Sequence, residues 1–403
     1  MREVGLSAVR VLGPLSGHAE GFGADLARQG YAPSSATDHL RLMGHLSRWL
    51  EAEGLDPTEF TAERTEDFLR VRGETHVRLV SERALTPLLG YLRGLGVVPE
   101  SPCPVPCTGL ERLLDDYRRF LVRERGLVAG SVVLYERVAR GFLAGLPEPI
   151  EAHLKLLGAE EVTGFVLREC PGRSVSAART VATGTRSLLR FLYLDGWMPR
   201  ALASAVPGVA GWSMTSLPRA VGAEVAAKLI ASCDPATPVG RRDHAVLVLL
   251  ARLGLRGQEV ADAALGDIDW RAGELVIRGK GRRRERLPLP VDVGEALVGY
   301  LQQGRQRCRS RRLFVSVRAP IGPVSASAIR SVVRDACQRA GLPRIGAHRL
   351  RHTAATEMLR AGASLAEVGQ VLRHRSPLTT ANYAKVDRVA LFALARPWPG
   401  AES

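Results

Sequence analysis

The sequence predicts a mainly α-helical protein with one small antiparallel β-sheet, an α+β C-terminal domain preceded by purely helical domains. Three observations predict it. Apolar residues recur at three- and four-residue spacing through most of the chain, the period of an amphipathic helix. Three short strand-like stretches bounded by turn residues lie together between Asp267 and Leu289. The chain has 403 residues, too many for one compact domain, and two joints rich in Pro, Gly or Ser divide it.

Residues 1–20 carry little pattern, and helical spacing begins near Gly21. Two stretches then resemble each other. The first holds Gly30–Ser35 and ends at Leu88–Pro99; the second holds Gly126–Ser131 and ends at Leu188–Pro199, offset by 96 residues at the start and 100 at the end. Both ends read L-L-x-aromatic-L-x-x-x-G-x-x-P: a helix, a Gly stop and a Pro. Leu40, Leu46, Trp49 and Leu50 in the first, and Leu134, Val138, Phe142 and Leu143 in the second, mark the amphipathic faces. We read two copies of a small helical domain, 1–105 and 106–212; the plainer reading is two ordinary bundles. The joint near Pro99–Thr108 carries Cys103 and Cys107 in C-P-V-P-C, which lacks the second Cys/His pair of a zinc site, so no metal is expected.

A third domain, 213–403, follows the joint at Val206–Pro218. Helices are expected at Ala220–Ala231 and Arg242–Leu253, the latter stopped by Gly254, with another opening at Leu255–Val260. Asp267–Trp270, Glu274–Arg278 and Arg284–Leu289 read as strands, joined by turns at Arg271–Gly273 and Gly279–Arg283. Leu313–Val317 is a short apolar run, and Ser327–Ala340 a helix ending at Gly341. A helix carrying His348 and Arg351 on one face stops at Gly362; Ser364-Leu365-Ala366-Glu367 is a capping box that starts the next. Ser376-Pro377 opens a third short helix, two turns into which falls Tyr383.

Charge separates the halves. Up to Trp212 there are 25 basic and 25 acidic residues; from Ser213 on there are 31 and 16, so the net charge of +15 lies in the C-terminal half. That asymmetry is the footprint of a polyanion partner, nucleic acid above all, although an Arg-rich composition also serves solubility. No apolar run is long enough to span a bilayer, and scattered Cys suggest reduced thiols, hence a cytoplasmic setting without a membrane partner.

The chemistry concentrates in Gly346–Val386. A phenol becomes a nucleophile when a base removes its proton and its target is made electrophilic. Arg forks match phosphate oxygens, and imidazoles donate hydrogen bonds or move protons. Tyr383, His348, His374 and Arg351 supply these groups. Upstream, Arg256 opens a helix in G-L-R-G-Q-E with Glu259 one turn on, where a surface ion pair is the plainer reading. Lys280 is one of only four Lys against 52 Arg, between two glycines at a hairpin tip beside Arg282, Arg283 and Arg284. Lys can give up a proton where Arg cannot, although any base would serve on a phosphate-contacting loop. His352 and His244 read as structural.

Together these residues resemble the tyrosine recombinase (phage integrase-type) family over roughly Leu217–Val386. Arg256 with Glu259, Lys280, His348 with Arg351, His374 and Tyr383 match its pattern in order. The sequence departs from it at Gly257, Arg349 and Arg373, the last standing where Gly is common before the His matched by His374. The resemblance implies a C-shaped clamp on double-stranded DNA, with Tyr383 as nucleophile and Arg256, Arg351 and His374 on the phosphate oxygens. It further implies Lys280 as acid for the leaving oxygen, His348 on the nucleophile's proton, and Arg282, Arg283 and Arg284 on DNA. It implies no metal or other cofactor, a nucleoid-associated homo-tetramer on recombination sites, and partner recombinases or accessory DNA-bending proteins. The tail Asp387–Ser403 has helical apolar spacing, to dock on a neighbouring protomer or pack on its own domain. The closing phrase L-R-H-R-S-P-L-T-T-A-N-Y-A-K-V-D looks like integrases of transposons and other mobile elements. The alternatives are a type IB-like topoisomerase, which relaxes DNA without a cognate site, and a non-catalytic DNA-binding accessory protein, which has no use for Tyr383 and Lys280 together.

Overall fold

The computed structural model describes residues 9–100, 108–210, 220–279 and 284–374, with Thr380 and Tyr383. Cys103, Cys107, Lys280, Arg282, Arg283, the Ser376-Pro377 helix start and the Asp387–Ser403 tail lie outside the described residues. Two compact units form: Met1–Glu100 with Ser216–Ser403, and Ser101–Thr215.

In the first unit, the N-terminal segment holds helices α1 (Ala19–Arg28), α2 (Pro33–Ala52), α3 (Ala62–Thr75) and α4 (Glu82–Gly94). They bury Phe22, Leu40, Leu46, Leu50, Phe68, Leu88 and Leu92 in a core of their own. Ile321 meets this segment, its N–H donating to the Gln29 carbonyl at 2.8 Å.

The second unit holds α5 (Gly109–Arg123), α6 (Ala129–Leu143), α7 (Ile150–Leu156), α8 (Ala159–Glu169) and α9 (Val175–Leu194). Tyr117, Phe142, Phe165, Leu188 and Leu192 centre its core. The two helix ends that look alike in sequence close alike. Gly96 and Gly196 both take left-handed backbone, at φ 72° and 79°. Each lets the next N–H reach back to a carbonyl, Val97 to Leu92 at 3.0 Å and Trp197 to Leu192 at 2.9 Å. The helices before these ends differ: four in the first segment, five in the second.

The C-terminal part of the first unit runs α10 (Ala223–Ala231), α11 (Pro238–Arg252), α12 (Gly257–Asp262), β1 (Ile268–Asp269), β2 (Glu274–Arg278), β3 (Arg284–Pro288), α13 (Val291–Gln303), α14 (Ala326–Arg339), α15 (Ala347–Arg360) and α16 (Leu365–Val371). Ala245 to Leu250 of α11 are all buried, which makes it the central helix; α13, α14 and α15 pack on it. It starts four residues before the expected Arg242 because Thr237 caps it and Pro238 takes the first helical position. The sheet order is β1-β2-β3, antiparallel, with Ile268 opposite Leu275 and Val276 opposite Arg286. Leu275, Ile277 and Leu287 face the core. Asp267 leaves the expected first strand. Its N–H donates to the Ala264 carbonyl at 3.0 Å in a 3-10 turn, so it is not free for the ladder, and its carboxylate accepts from the Ala264 N–H at 2.8 Å and pairs with Arg278 at 2.7 Å. Among the described residues no helix is long and apolar enough to cross a membrane.

Candidate active site

Three helix ends meet around Tyr383. The first is the α11–α12 turn. Gly254 ends α11 in left-handed backbone at φ 58°, and a Cβ there would sit 2.6 Å from Leu372 Cδ2, so the glycine allows the turn and the close approach of α16. Two residues on, Arg256 caps α12. The Glu259 carboxylate accepts from the Arg256 backbone N–H at 2.8 Å and from its Nη1 at 2.7 Å. This is the ion pair the sequence allows, but its carboxylate is buried, with a side chain 5% exposed against 44% for Arg256.

The second is α15. His348 and His352 lie one turn apart with ring centroids 4.6 Å apart. Arg351 is 1% exposed. Its Nη1 donates to the Gly254 carbonyl at 2.6 Å and its Nη2 to the Leu372 carbonyl. It therefore ties the turn before Arg256 to the turn before His374. The sequence reading gave Arg351 a phosphate role only; its burial makes it a strut of the site as well.

The third is the end of α16, which starts with the predicted capping box: Ser364 N–H donates to Glu367 Oε2 at 2.7 Å, and Glu367 N–H to Ser364 Oγ at 3.3 Å. It ends with the His374 N–H on the Gly369 carbonyl at 3.0 Å and the Arg373 N–H on Gln370 at 2.9 Å. That closure requires left-handed backbone at Arg373, φ 56°. A residue with a Cβ pays about 1–2 kcal/mol there. The turn delivers His374, whose Nδ1 meets Thr380 Oγ1 at 2.8 Å. Tyr383 N–H donates to the Thr380 carbonyl at 2.8 Å.

Tyr383 is 2% exposed, in a satellite core with Ala355, Val368 and Leu372. Its hydroxyl is hydrogen-bonded to His352 Nδ1 at 2.6 Å, and its ring lies nearly parallel to His374, centroids 6.1 Å apart. Sequence analysis read His352 as structural; in the structure it is His352 that meets the Tyr383 hydroxyl. The spacing from His348 to His352 carried that signal, since residues i and i+4 share a helix face. Arg373 was visible only as a departure from the family pattern, because its partner Glu259 lies 114 residues away.

The site is electropositive. Burial, then the charges of His348, Arg351 and Arg349, lower His352 to about 4. Burial, then Arg351, Arg256, Arg373 and His348, lower His374 to about 4. Desolvation, then Arg351 and Arg256, hold the exposed His348 below its ordinary value as well. Desolvation raises the Tyr383 phenol although Arg351 and Arg256 oppose it, so the hydroxyl keeps its proton near neutrality and needs a base. Burial and the neighbouring Arg256 and Arg373 bring Arg351 down to about 10. Burial pushes the Glu259 carboxyl up, but Arg373 and Arg256 outweigh it and leave it below its ordinary value. Among the described residues no cluster of three His, Cys, Asp or Glu is arranged to hold a metal.

A pH dependence follows. His352 and His374 titrate near 4 in the folded chain and near 6.5 when unfolded, so on acidification the unfolded chain takes up protons first. Their contribution to stability is complete above about pH 6.5 and declines toward about pH 4. Urea midpoints measured stepwise across that window should fall, and the fall should be shallower in His352→Ala.

Of the remaining predicted residues, Arg284 is exposed at the first position of β3, opposite Arg278. The structure brings Arg256, Glu259, His348, Arg351, His374 and Tyr383 into one cluster.

Comparison with known proteins agrees with this geometry. Residues 220–389 match the Phage integrase family. An integrase/recombinase of Sinorhizobium fredii, y4rA, is 40% identical over 392 residues, covering 96% of this chain and 95% of that protein. Among solved structures, the XerH site-specific recombinase bound to palindromic difH substrate superposes with a TM-score of 0.56 at 18% identity, over 84% of this chain and 96% of that one. A lambda integrase tetramer bound to a Holliday junction gives 0.52 at 17% identity, over 74% and 88%. The likeness to those two is one of fold, while the closeness to y4rA along nearly the whole of both chains is one of family. The chain belongs to the phage integrase family of tyrosine recombinases, site-specific enzymes that cut and rejoin DNA.

Proposed function

We propose that Tyr383 attacks a scissile phosphate in duplex DNA. The Tyr383 oxygen forms a bond to phosphorus, the bond to the 5′-oxygen breaks, and a 3′-phosphotyrosine remains. The phenol proton passes to His352 Nδ1, and the departing 5′-oxygen takes a proton from Lys280. Reversal by an incoming 5′-hydroxyl rejoins the strand, so neither ATP nor a metal enters the balance. Arg256 and His374 hold the non-bridging oxygens, Arg351 braces both and adds its charge, and His348 donates from the rim. Each such donor is commonly worth a few kcal/mol in the transition state, about 2.7–4 where measured for one oxyanion donor. His374 suits its task because Nδ1 is engaged by Thr380, which leaves Nε2 for the phosphate. The 2% exposure of Tyr383 is then a resting position, and cleavage requires the phenol to move toward the DNA.

The observation that carries this reading is the charge balance around the phenol. Arg256, Arg351 and Arg373 gather about the Glu259 carboxylate, so the cluster lacks negative charge that a phosphodiester supplies. The lambda integrase neighbour was captured as a tetramer on a Holliday junction, which supports a homo-tetramer that exchanges strands between two duplexes. Integration, excision or transposition of a mobile element is the setting that the resemblance of the Leu372–Asp387 stretch favours. Partner recombinases or DNA-bending proteins and a tail docked on the next protomer belong to the same reading.

The test is a nicked suicide duplex carrying the ends of the encoding element. Wild type should form a covalent, protease-sensitive adduct; strong binding without an adduct would return the chain to the accessory-protein reading. His352→Gln should slow adduct formation about 100-fold, the scale of a lost general base, and His348→Gln should do so less. A larger loss in His348→Gln would give the proton back to His348.

A further inference from the structure

The turn that delivers His374 contains a charged side chain where left-handed backbone favours glycine. Arg373 has φ 56°, yet its side chain is 4% exposed and its Nη2 donates to Glu259 Oε2 at 2.7 Å. Its Nη1 donates to the Val371 carbonyl at 2.7 Å. The other oxygen of the same carboxylate holds Arg256 Nη1 at 2.7 Å. One buried carboxylate thus joins a guanidinium 114 residues away, at the end of α16, to the exposed guanidinium at the start of α12. An unfavourable backbone conformation combined with a buried charge persists only where the pairing compensates for both.

We propose that Arg373 is a positioning residue for DNA cleavage: by occupying one oxygen of Glu259 it sets how firmly Arg256 is held and fixes the turn that carries His374. This rests on the reading of Arg256 and His374 as phosphate-binding groups. With Arg373 present, Glu259 shares its charge between two cations and Arg256 keeps donors for the phosphate. Without it, the whole charge of a buried carboxylate falls on Arg256 and draws its guanidinium inward. The α16 end simultaneously loses its tether to α12.

The full chain carrying Arg373→Gly decides it, because glycine accepts the left-handed turn and removes only the side chain. On the nicked duplex, single-turnover adduct formation should fall about tenfold or more while the Kd for the same duplex stays within about twofold, the pattern of a misplaced group. Arg373→Lys, which restores charge without the fork, should recover part of the rate. Glu259→Gln placed in the Arg373→Gly background should also recover part, since the neutral amide no longer captures Arg256. A wild-type rate in Arg373→Gly, or losses from Glu259→Gln and Arg373→Gly that simply multiply, would overturn the proposal. If the glycine variant does not fold, Arg373→Lys carries the decision: a reduced rate at unchanged Kd supports the coupling and a wild-type rate ends it.

A measurement without DNA separates this inference from the nucleophile reading. The His374 imidazole, followed by NMR in the free protein, should titrate at higher pH in Arg373→Gly than in wild type and return toward wild type in Arg373→Lys. An unmoved His374 titration rejects the positioning role even if adducts form. A moved titration supports it even if none do.

Discussion

Tyr383→Phe should abolish the covalent protein–DNA adduct, a loss of at least about 1000-fold set by the sensitivity of the assay, with duplex binding unchanged. The separation of the two effects comes from where the phenol sits. Its ring packs against Ala355, Val368 and Leu372, and phenylalanine keeps that packing. Only the hydroxyl is lost, together with its bond to His352 Nδ1. That should change folding stability by no more than about 1–2 kcal/mol, because one hydrogen bond is removed and His352 is half-buried, within reach of water. Gel-resolved adduct on the nicked duplex reads the chemistry, and a binding isotherm on the same duplex reads the rest. An adduct that persists in the phenylalanine variant would mean another nucleophile. Tyr300, the other described tyrosine of the C-terminal segment, is a poor substitute, because it lies in the main hydrophobic core and its hydroxyl accepts from the Val315 N–H at 3.1 Å.

Arg351→Ala should be costly in a different way, lowering stability by about 3–5 kcal/mol as well as activity. The guanidinium is buried and bonded to the carbonyls of Gly254 and Leu372. Truncation leaves both acceptors without their donor in a space too enclosed for easy hydration, at about 1–3 kcal/mol each, and removes the volume of a long side chain. It also leaves the two turns that present Arg256 and His374 untied. Urea unfolding of the full chain should show a lowered midpoint for the transition of the C-terminal segment, and adduct formation should fall below detection. Arg351→Lys tests geometry against charge. A single ammonium cannot reach both carbonyls as a planar fork does, so lysine should recover little of either property. Wild-type stability in Arg351→Ala would show that the residue is no strut and acts on the phosphate alone.

The sequence was informative wherever structure depends on neighbours along the chain. The helical period, the Gly stops at Gly96 and Gly196, the capping box at Ser364, and the strands Glu274–Arg278 and Arg284–Pro288 all stand where local pattern puts them. Boundaries slipped where a short polar residue competed for backbone groups. Asp267 capped a turn instead of joining a strand, and Thr237 with Pro238 opened α11 early. The chemistry-bearing residues were legible because their types and order form a pattern of family membership, and the structure gathers the described ones into one cluster.

What only the tertiary structure decided is who touches whom. Nothing local says that His352, beside the motif Arg, is hydrogen-bonded to the Tyr383 hydroxyl from 31 residues away. Nor does it say that Arg351 reaches back 97 residues to Gly254, or that Arg373 and Arg256 divide one carboxylate. Sequence alone determined the helical elements and singled out the candidate reactive groups, because both depend on short-range period and residue type. The partners of those groups, and with them their proton affinities, were decided by helix ends brought together through burial, whose energy depends on contacts between residues far apart in the chain.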